Sequence, residues 1–199
     1  MIADEYGIII LAAGNSSRLG EPKQLLPFRG KSLIRHICGS ALEVAGDQVI
    51  VVTGSNAQLI ERELEGLPCR FAFNPDWQEG MSASIKTGIH VLQSFNPQVK
   101  GCILAVSDQP FVSAGIFNAL IQSFETEGKP IVASQYSGSL GTPAFFAASY
   151  FPALLQLTGA EGAKKLFNRY ANDVSSYPFP QGSIDIDTRE DYKRLISGS

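Results

Sequence analysis

Apolar positions fall along this chain in two alternating rhythms. Continuous apolar runs at Ile8–Leu11, Val49–Thr53, Ile103–Val106 and Ile131–Ser134 read as strands buried on both faces of a parallel sheet. Between the first two, Leu33, Ile34, Ile37, Cys38, Ala41, Leu42 and Ala45 recur at helical spacing after Ser32, a capping residue, and Gly46-Asp47 stops the pattern. A polar helix follows Gly54 to about position 64, with Ser55 or Asn56 as its cap, and a short strand covers 70–73. Asn74-Pro75-Asp76 then turns the chain into a helix over 82–94. Ile116, Phe117, Leu120, Ile121 and Phe124 define one face of a helix over 113–127. The Gly- and Ser-rich stretch 136–142 reads as a mobile loop, followed by a strand at 144–146 running back along the sheet. A helical region over 149–170, interrupted near Gly159, leads to a strand at 174–177, an extended segment at 183–187 and a closing helix from 189. Strands alternating with helices in this way predict a three-layer α/β/α domain with a mostly parallel sheet, whose ligands bind at the carboxyl ends of the strands.

Composition narrows the class without changing that picture. The 199 residues, 44% hydrophobic and 18% charged, suit one domain spanning 1–199. A net charge of −3 gives no general attraction to nucleic acid or to an anionic membrane, so any phosphate binding has to be local. Cys38, Cys69 and Cys102 are odd in number and far apart in sequence, which indicates neither a zinc site nor a disulfide framework. With no signal-peptide pattern and no apolar stretch approaching ~18 residues, the expectation is a cytoplasmic protein.

The candidate chemistry clusters at strand exits. Ala12, Ala13 and Gly14 follow the first strand with almost no side-chain volume, so a flat ligand can lie on the backbone there. The polar loop to Gly20 can aim amides at phosphate oxygens, and Arg18 and Lys23 add two cations. The glycines of this loop, Gly14 and Gly20, are six apart with none between, so G-x-G-x-x-G is absent, and Gly20 is not followed by K-[ST], which excludes the dinucleotide fingerprint and the P-loop here. Asp108 stands two positions past the end of the strand at 103–106, where a hard oxygen ligand suits Mg²⁺, although an Asp before Gln-Pro is also a turn former. Asp187 is the second candidate carboxylate and equally fits a helix N-terminus. Asp185 alternates to the opposite side of an extended segment and is set aside. Gly80, Ser82 and Ser84 place small hydroxyls at a helix start, where capping accounts for one of them. Trp77 reads as a packing anchor, and His36 and His90 as packing or surface residues.

The stretch L-A-A-G-x-S-x-R-L-G-x-x-K-x-L-L-P, Leu11 to Pro27, resembles the signature of the MobA-like nucleotidyltransferases, and A-A-G resembles their molybdenum cofactor cytidylyltransferases more than the guanylyltransferases. Gly80–Ser84, Ser107–Pro110 and Asp185–Thr188 are similar to that family's later motifs, in the same order. The resemblance implies a seven-stranded sheet with one antiparallel strand, of the nucleotide-diphospho-sugar transferase type. It implies transfer of CMP from CTP, with GTP as the alternative, to a phosphorylated small-molecule acceptor, molybdopterin, with loss of pyrophosphate. Leu11, Ala12, Ala13, Gly14, Gly80, Ser82 and Ser84 would bind nucleotide, Arg18 and Lys23 would serve catalysis, and Asp108 with Asp187 would hold Mg²⁺. Transient contact with a molybdoenzyme or its chaperone is implied as well. Two segments depart from the family pattern. Thr142 stands where G-H-P is common and Ala160 where G-D-x-G-A is common, which keeps a sugar phosphate acceptor and a non-catalytic nucleotide-binding protein open as alternatives.

Overall fold

The computed structural model describes residues 5–15 and 19–197. In chain order the strands are β1 (Tyr6–Leu11), a short pair β2 (Pro27–Phe28) and β3 (Lys31–Ser32), β4 (Val49–Thr53), β5 (Arg70–Phe73), β6 (Gly101–Val106), β7 (Ile131–Tyr136), β8 (Ser139–Ala147) and β9 (Val174–Pro178). The helices are α1 (Leu33–Ala45), α2 (Ala57–Glu63), α3 (Met81–Phe95), α4 (Ala114–Glu127), α5 (Phe151–Leu155), α6 (Lys164–Arg169) and α7 (Arg189–Ser197). Seven strands form one sheet in the order β5-β4-β1-β6-β8-β7-β9, while β2 and β3 make a separate hairpin. Only β8 runs antiparallel to its sheet neighbours.

Successive residues of β1 explain its unbroken apolar run. Ile8 and Ile10 pack with α1, α2 and α4 on one face, and Ile9 and Leu11 pack with α3, α5 and α6 on the other. Strand β8 does the same with Phe145 and Phe146, both fully buried on opposite faces. A smaller cluster of Leu19, Leu26, Phe28, Leu33, Ile186 and Leu195 seals the β2–β3 hairpin against α7. From β1 the chain steps to β4 and β5 on one side, then returns to β6 on the other. That reversal makes β1/β6 the topological switch point, where an α/β sheet opens a crevice at its carboxyl edge.

Several sequence expectations need correction. The expected mobile loop over 136–142 is a tight hairpin: Ser137 (φ 49°) and Gly138 (φ 71°) form the turn, and β8 begins at Ser139. Positive φ at both central positions is what a right-twisted two-residue hairpin demands. The register slips between Ala133 and Ser134, so Thr142 and Pro143 bulge out, and the Ser134 hydroxyl donates to the Pro143 carbonyl at 2.6 Å. Ser32 caps α1 as expected, accepting from the Arg35 N–H at 3.2 Å. Neither Ser55 nor Asn56 caps α2 through its side chain, and α3 starts from Gly80 without a serine cap. Gly80 sits at φ 108°, and a Cβ there would come within 2.6 Å of the Gly159 carbonyl oxygen, so only glycine fits both demands. The fold also brings together two cysteines that are distant in sequence. Its hydrogen bond to Cys69, and then burial, raise the Cys38 thiol, and the same bond lowers Cys69, which is therefore the first of the two to ionise. Among the described residues, no helix is long and apolar enough to cross a membrane.

Candidate functional site

Strand β6 ends at Val106, and Ser107 extends the sheet by one bond to the Leu11 carbonyl at 3.3 Å, which leaves Asp108 at the mouth of the switch-point crevice. The Asp108 carbonyl accepts from Ile186 N–H at 3.2 Å, pinning the C-terminal segment across the strand end. This one bond delivers Asp187 to the site from the far end of the chain. Thr188 and Asp191 cap α7 reciprocally: Asp191 N–H donates to the Thr188 hydroxyl oxygen at 3.2 Å, and Thr188 N–H donates to Asp191 at 2.9 Å. The Asp187 carboxylate, one position earlier, accepts from Lys23.

Between the two carboxylates lies Lys23, the first residue of a 3-10 turn (Lys23–Leu25). Its ammonium donates to Asp108 Oδ2 at 2.5 Å and to Asp187 Oδ1 at 2.9 Å. Side-chain exposures of 17% for Lys23 and 16% for Asp108, against 43% for Asp187, show that the inner ion pair is the shielded one. Burial pulls the Lys23 pKa down, but the charges of Asp108 and Asp187 and the hydrogen bonds Lys23 donates to them outweigh it, and the net direction is upward. Asp108 Oδ1 is buried and has no hydrogen-bond partner among the described residues. Asp185 is drawn into the same field: burial, then repulsion by Asp108 and Asp187, raises its pKa. Asp185 is nevertheless exposed and lines a separate cavity with Phe111, Ser183 and Arg194, apart from the crevice.

The crevice itself is a cavity of about 250 Å³ that Leu11, Ala13, Gly14, Lys23, Gly80, Ser84 and Asp108 help to line. Ala12 is 1% exposed and lies beneath this surface. Ser84 faces the crevice and accepts from the Asn74 amide at 3.0 Å. Ser82 does not line it; its hydroxyl donates to the Gly159 carbonyl at 2.8 Å and ties α3 to the loop before α6. Arg18 lies outside the described residues.

Two further residues, Gln24 and Gln109, border the site without having been singled out, and Trp77, read from the sequence as a packing anchor, borders it too. Gln24 is 1% exposed and donates from Nε2 to the carbonyls of Ala12 (3.3 Å) and Gly14 (3.1 Å). Its position directly after Lys23 was the available signal. Trp77 lines the crevice rather than packing into a core. Gln109 donates to the carbonyls of Thr142 (3.0 Å) and Gly182 (2.8 Å), which joins the β8 bulge to the segment carrying Asp185 and Asp187.

Chemically, two carboxylates around one cation position beside a small-residue loop can gather cations and phosphates. Among the described residues, no group of three Asp, Glu, His or Cys side chains converges to hold a metal unaided.

The profile of the MobA-like NTP transferase domain matches residues 8–174. Nicotine blue oxidoreductase of Paenarthrobacter nicotinovorans is 29% identical, with 94% of this chain and 95% of that protein covered. The molybdenum cofactor cytidylyltransferase of Escherichia coli is 27% identical, with 92% of each covered. Among solved structures, Rv0371c of Mycobacterium tuberculosis superposes with a TM-score of 0.82 at 27% identity, covering 98% of this chain and 99% of that one, and has also been solved in complex with manganese. A nucleotide-diphospho-sugar transferase-like fold is shared with solved synthases at TM-scores of 0.74 and 0.71 and identities of 18% and 15%, a likeness of fold alone.

Proposed function

The chain belongs to the MobA-like NTP transferase family, and on that premise we propose that it transfers CMP from CTP to a phosphorylated acceptor, the molybdopterin form of molybdenum cofactor, releasing pyrophosphate. The observation that carries this reading is the Asp108–Lys23–Asp187 cluster at the mouth of the crevice. A phosphate monoester is already anionic at neutral pH, so the attack on the α-phosphorus needs no general base. The obstacle is electrostatic: two polyanions must meet while charge grows on the departing pyrophosphate. Lys23, with Arg18 from the first loop, supplies fixed positive charge against the triphosphate. The N–H groups of the 13–14 backbone and the floor at Gly80 and Ser84 orient the nucleoside.

The donor set fits a divalent cation. Asp108 and Asp187 already flank one cation position, and the orphaned Asp108 Oδ1 offers a further hard oxygen. With no third protein ligand among the described residues, phosphate oxygens and water complete the shell, as is usual for Mg²⁺. Such an ion supplies neutralisation of the phosphate charge that builds up during transfer. The manganese complex of the mycobacterial relative supports a divalent metal here. The choice of CTP rests on Ala12-Ala13 and on the Escherichia coli relative's name.

Lys23→Ala and Asp108→Ala should each slow pyrophosphate release by about 10²–10³ while leaving the circular dichroism spectrum intact. Turnover near the wild-type rate in either variant would overturn the assigned roles. A nucleotide panel in which GTP outperforms CTP would overturn the base. The likeness to nicotine blue oxidoreductase favours a second reading, an oxidoreductase on this fold. It predicts NAD(P)H consumption, which the transferase reading does not.

A further inference from the structure

We propose that Gln24 sets the base preference of this site by occupying the carbonyls of the first loop, so that the loop shows the base only N–H donors. The inference rests on the CTP reading above. It begins from the backbone groups of three residues. The Ala12 carbonyl accepts from Gln24 at 3.3 Å, the Gly14 carbonyl accepts from Gln24 at 3.1 Å, and the Ala13 carbonyl accepts from Ser55 N–H at 3.3 Å. All three acceptors of the A-A-G stretch are thus engaged by the protein. Of the donors, Ala12 N–H is spent on the Val52 carbonyl at 2.9 Å, whereas Ala13 and Gly14 N–H have no acceptor among the described residues. Both residues line the crevice.

The amide of Gln24 can be read in only one orientation. Turned over, its oxygen would face two carbonyl oxygens in a setting 1% exposed to solvent, a repulsion that nothing there relieves. Ala12 and Ala13, 1% and 6% exposed, have their second lone pairs closed off by burial. Gly14 is the exposed member, and there the Gln24 amide holds the acceptor that a ligand would otherwise reach.

A donor-only loop discriminates among bases. Cytosine offers two adjacent acceptors, O2 and N3, beside its amino group. The Watson–Crick edge of guanine offers one acceptor, O6, beside N1–H and the 2-amino group, whose donors would meet carbonyls already bonded. A guanine donor would have to compete with the Gln24 amide for the Gly14 carbonyl, so that edge is disfavoured. Gln24 is a positioning residue: it acts on the base through the loop.

The test is calorimetric binding of CTP, GTP and the triphosphate of 4-deaminocytidine to the full chain in the presence of Mg²⁺. Wild type is expected to favour CTP over GTP and to bind the deaminated analogue within about threefold of CTP, because the loop reads O2 and N3. Gln24→Ala is expected to shrink the CTP:GTP affinity ratio about tenfold by freeing the Gly14 carbonyl for a guanine donor. Equal weakening of all three nucleotides in the variant, with the ratio unmoved, would overturn the inference and leave the CTP reading standing. A wild type that favours GTP would overturn both. If Gln24→Ala does not fold, the wild-type analogue decides, since a loss of more than about tenfold on removing the amino group means that the loop presents an acceptor after all.

Discussion

At the scale of single residues, Lys23 sets the electrostatics of the site. Its pKa lies above the ordinary lysine value, so its contribution to stability is complete below about pH 10.5 and is lost as pH rises through the folded value. Lys23→Met leaves two carboxylates facing each other, and urea unfolding should show a loss of about 1–3 kcal/mol, less than for a fully buried pair because Asp187 is 43% exposed. Adding Asp108→Asn to that variant should recover part of the loss. Asp185 behaves in the opposite sense. Its raised pKa means that the ionised form is disfavoured by folding, a penalty present at neutral pH and absent once the pH falls below the ordinary value of 3.8. Asp185→Asn should therefore unfold at a slightly higher temperature than wild type at pH 7, with the gap closing in acid.

At the scale of elements, two helical glycines with the same residue type should respond oppositely to the same substitution. A Cβ on Gly88 in α3 would lie 2.5 Å from Ile9 Cγ2 and 3.1 Å from Val52 Cγ2, so the helix rides directly on β1 and β4. Gly88→Ala should cost roughly 1–3 kcal/mol in urea unfolding. Gly39 in α1 has nothing within 4 Å of such a Cβ, and Gly39→Ala should stabilise by about 0.5–1 kcal/mol through helix propensity. Elements of this kind were legible in the sequence wherever burial on two faces or on one helix face wrote a local pattern, as in β1, β6 and α1. The first half of β8 was not, because Ser139, Gly141 and Pro143 carry no strand signal: Ser139 and Gly141 are held by pairing with β7, and the bulge by the Ser134 hydroxyl and Gln109. The site divides along the same line. Lys23 and Asp108 stand out locally as charges at strand exits. The buried bonds of Gln24, and the field that reaches Asp185, arise from distant chain segments.

At the scale of the whole molecule, the site fastens the two ends of the chain to each other, since the Lys23–Asp187 bond spans 164 positions. Ile186, fully buried beside Leu19, Leu26 and Leu195, anchors the returning segment. Ile186→Ala should cost roughly 2–5 kcal/mol and should also weaken nucleotide binding by releasing Asp187, which a thermal-shift titration with CTP and Mg²⁺ would register as a smaller stabilisation.

The ammonium resting between Asp108 and Asp187 makes the protein its own counter-ion. On the metal-dependent reading proposed above, a divalent ion held by Asp108 and Asp187 would displace the ammonium, and the displaced charge would need a new anion, which a triphosphate would provide. Metal and nucleotide should consequently raise each other's affinity by one common factor, measurable from either side. A resting site arranged in this way would favour the metal and the nucleotide arriving together over either alone.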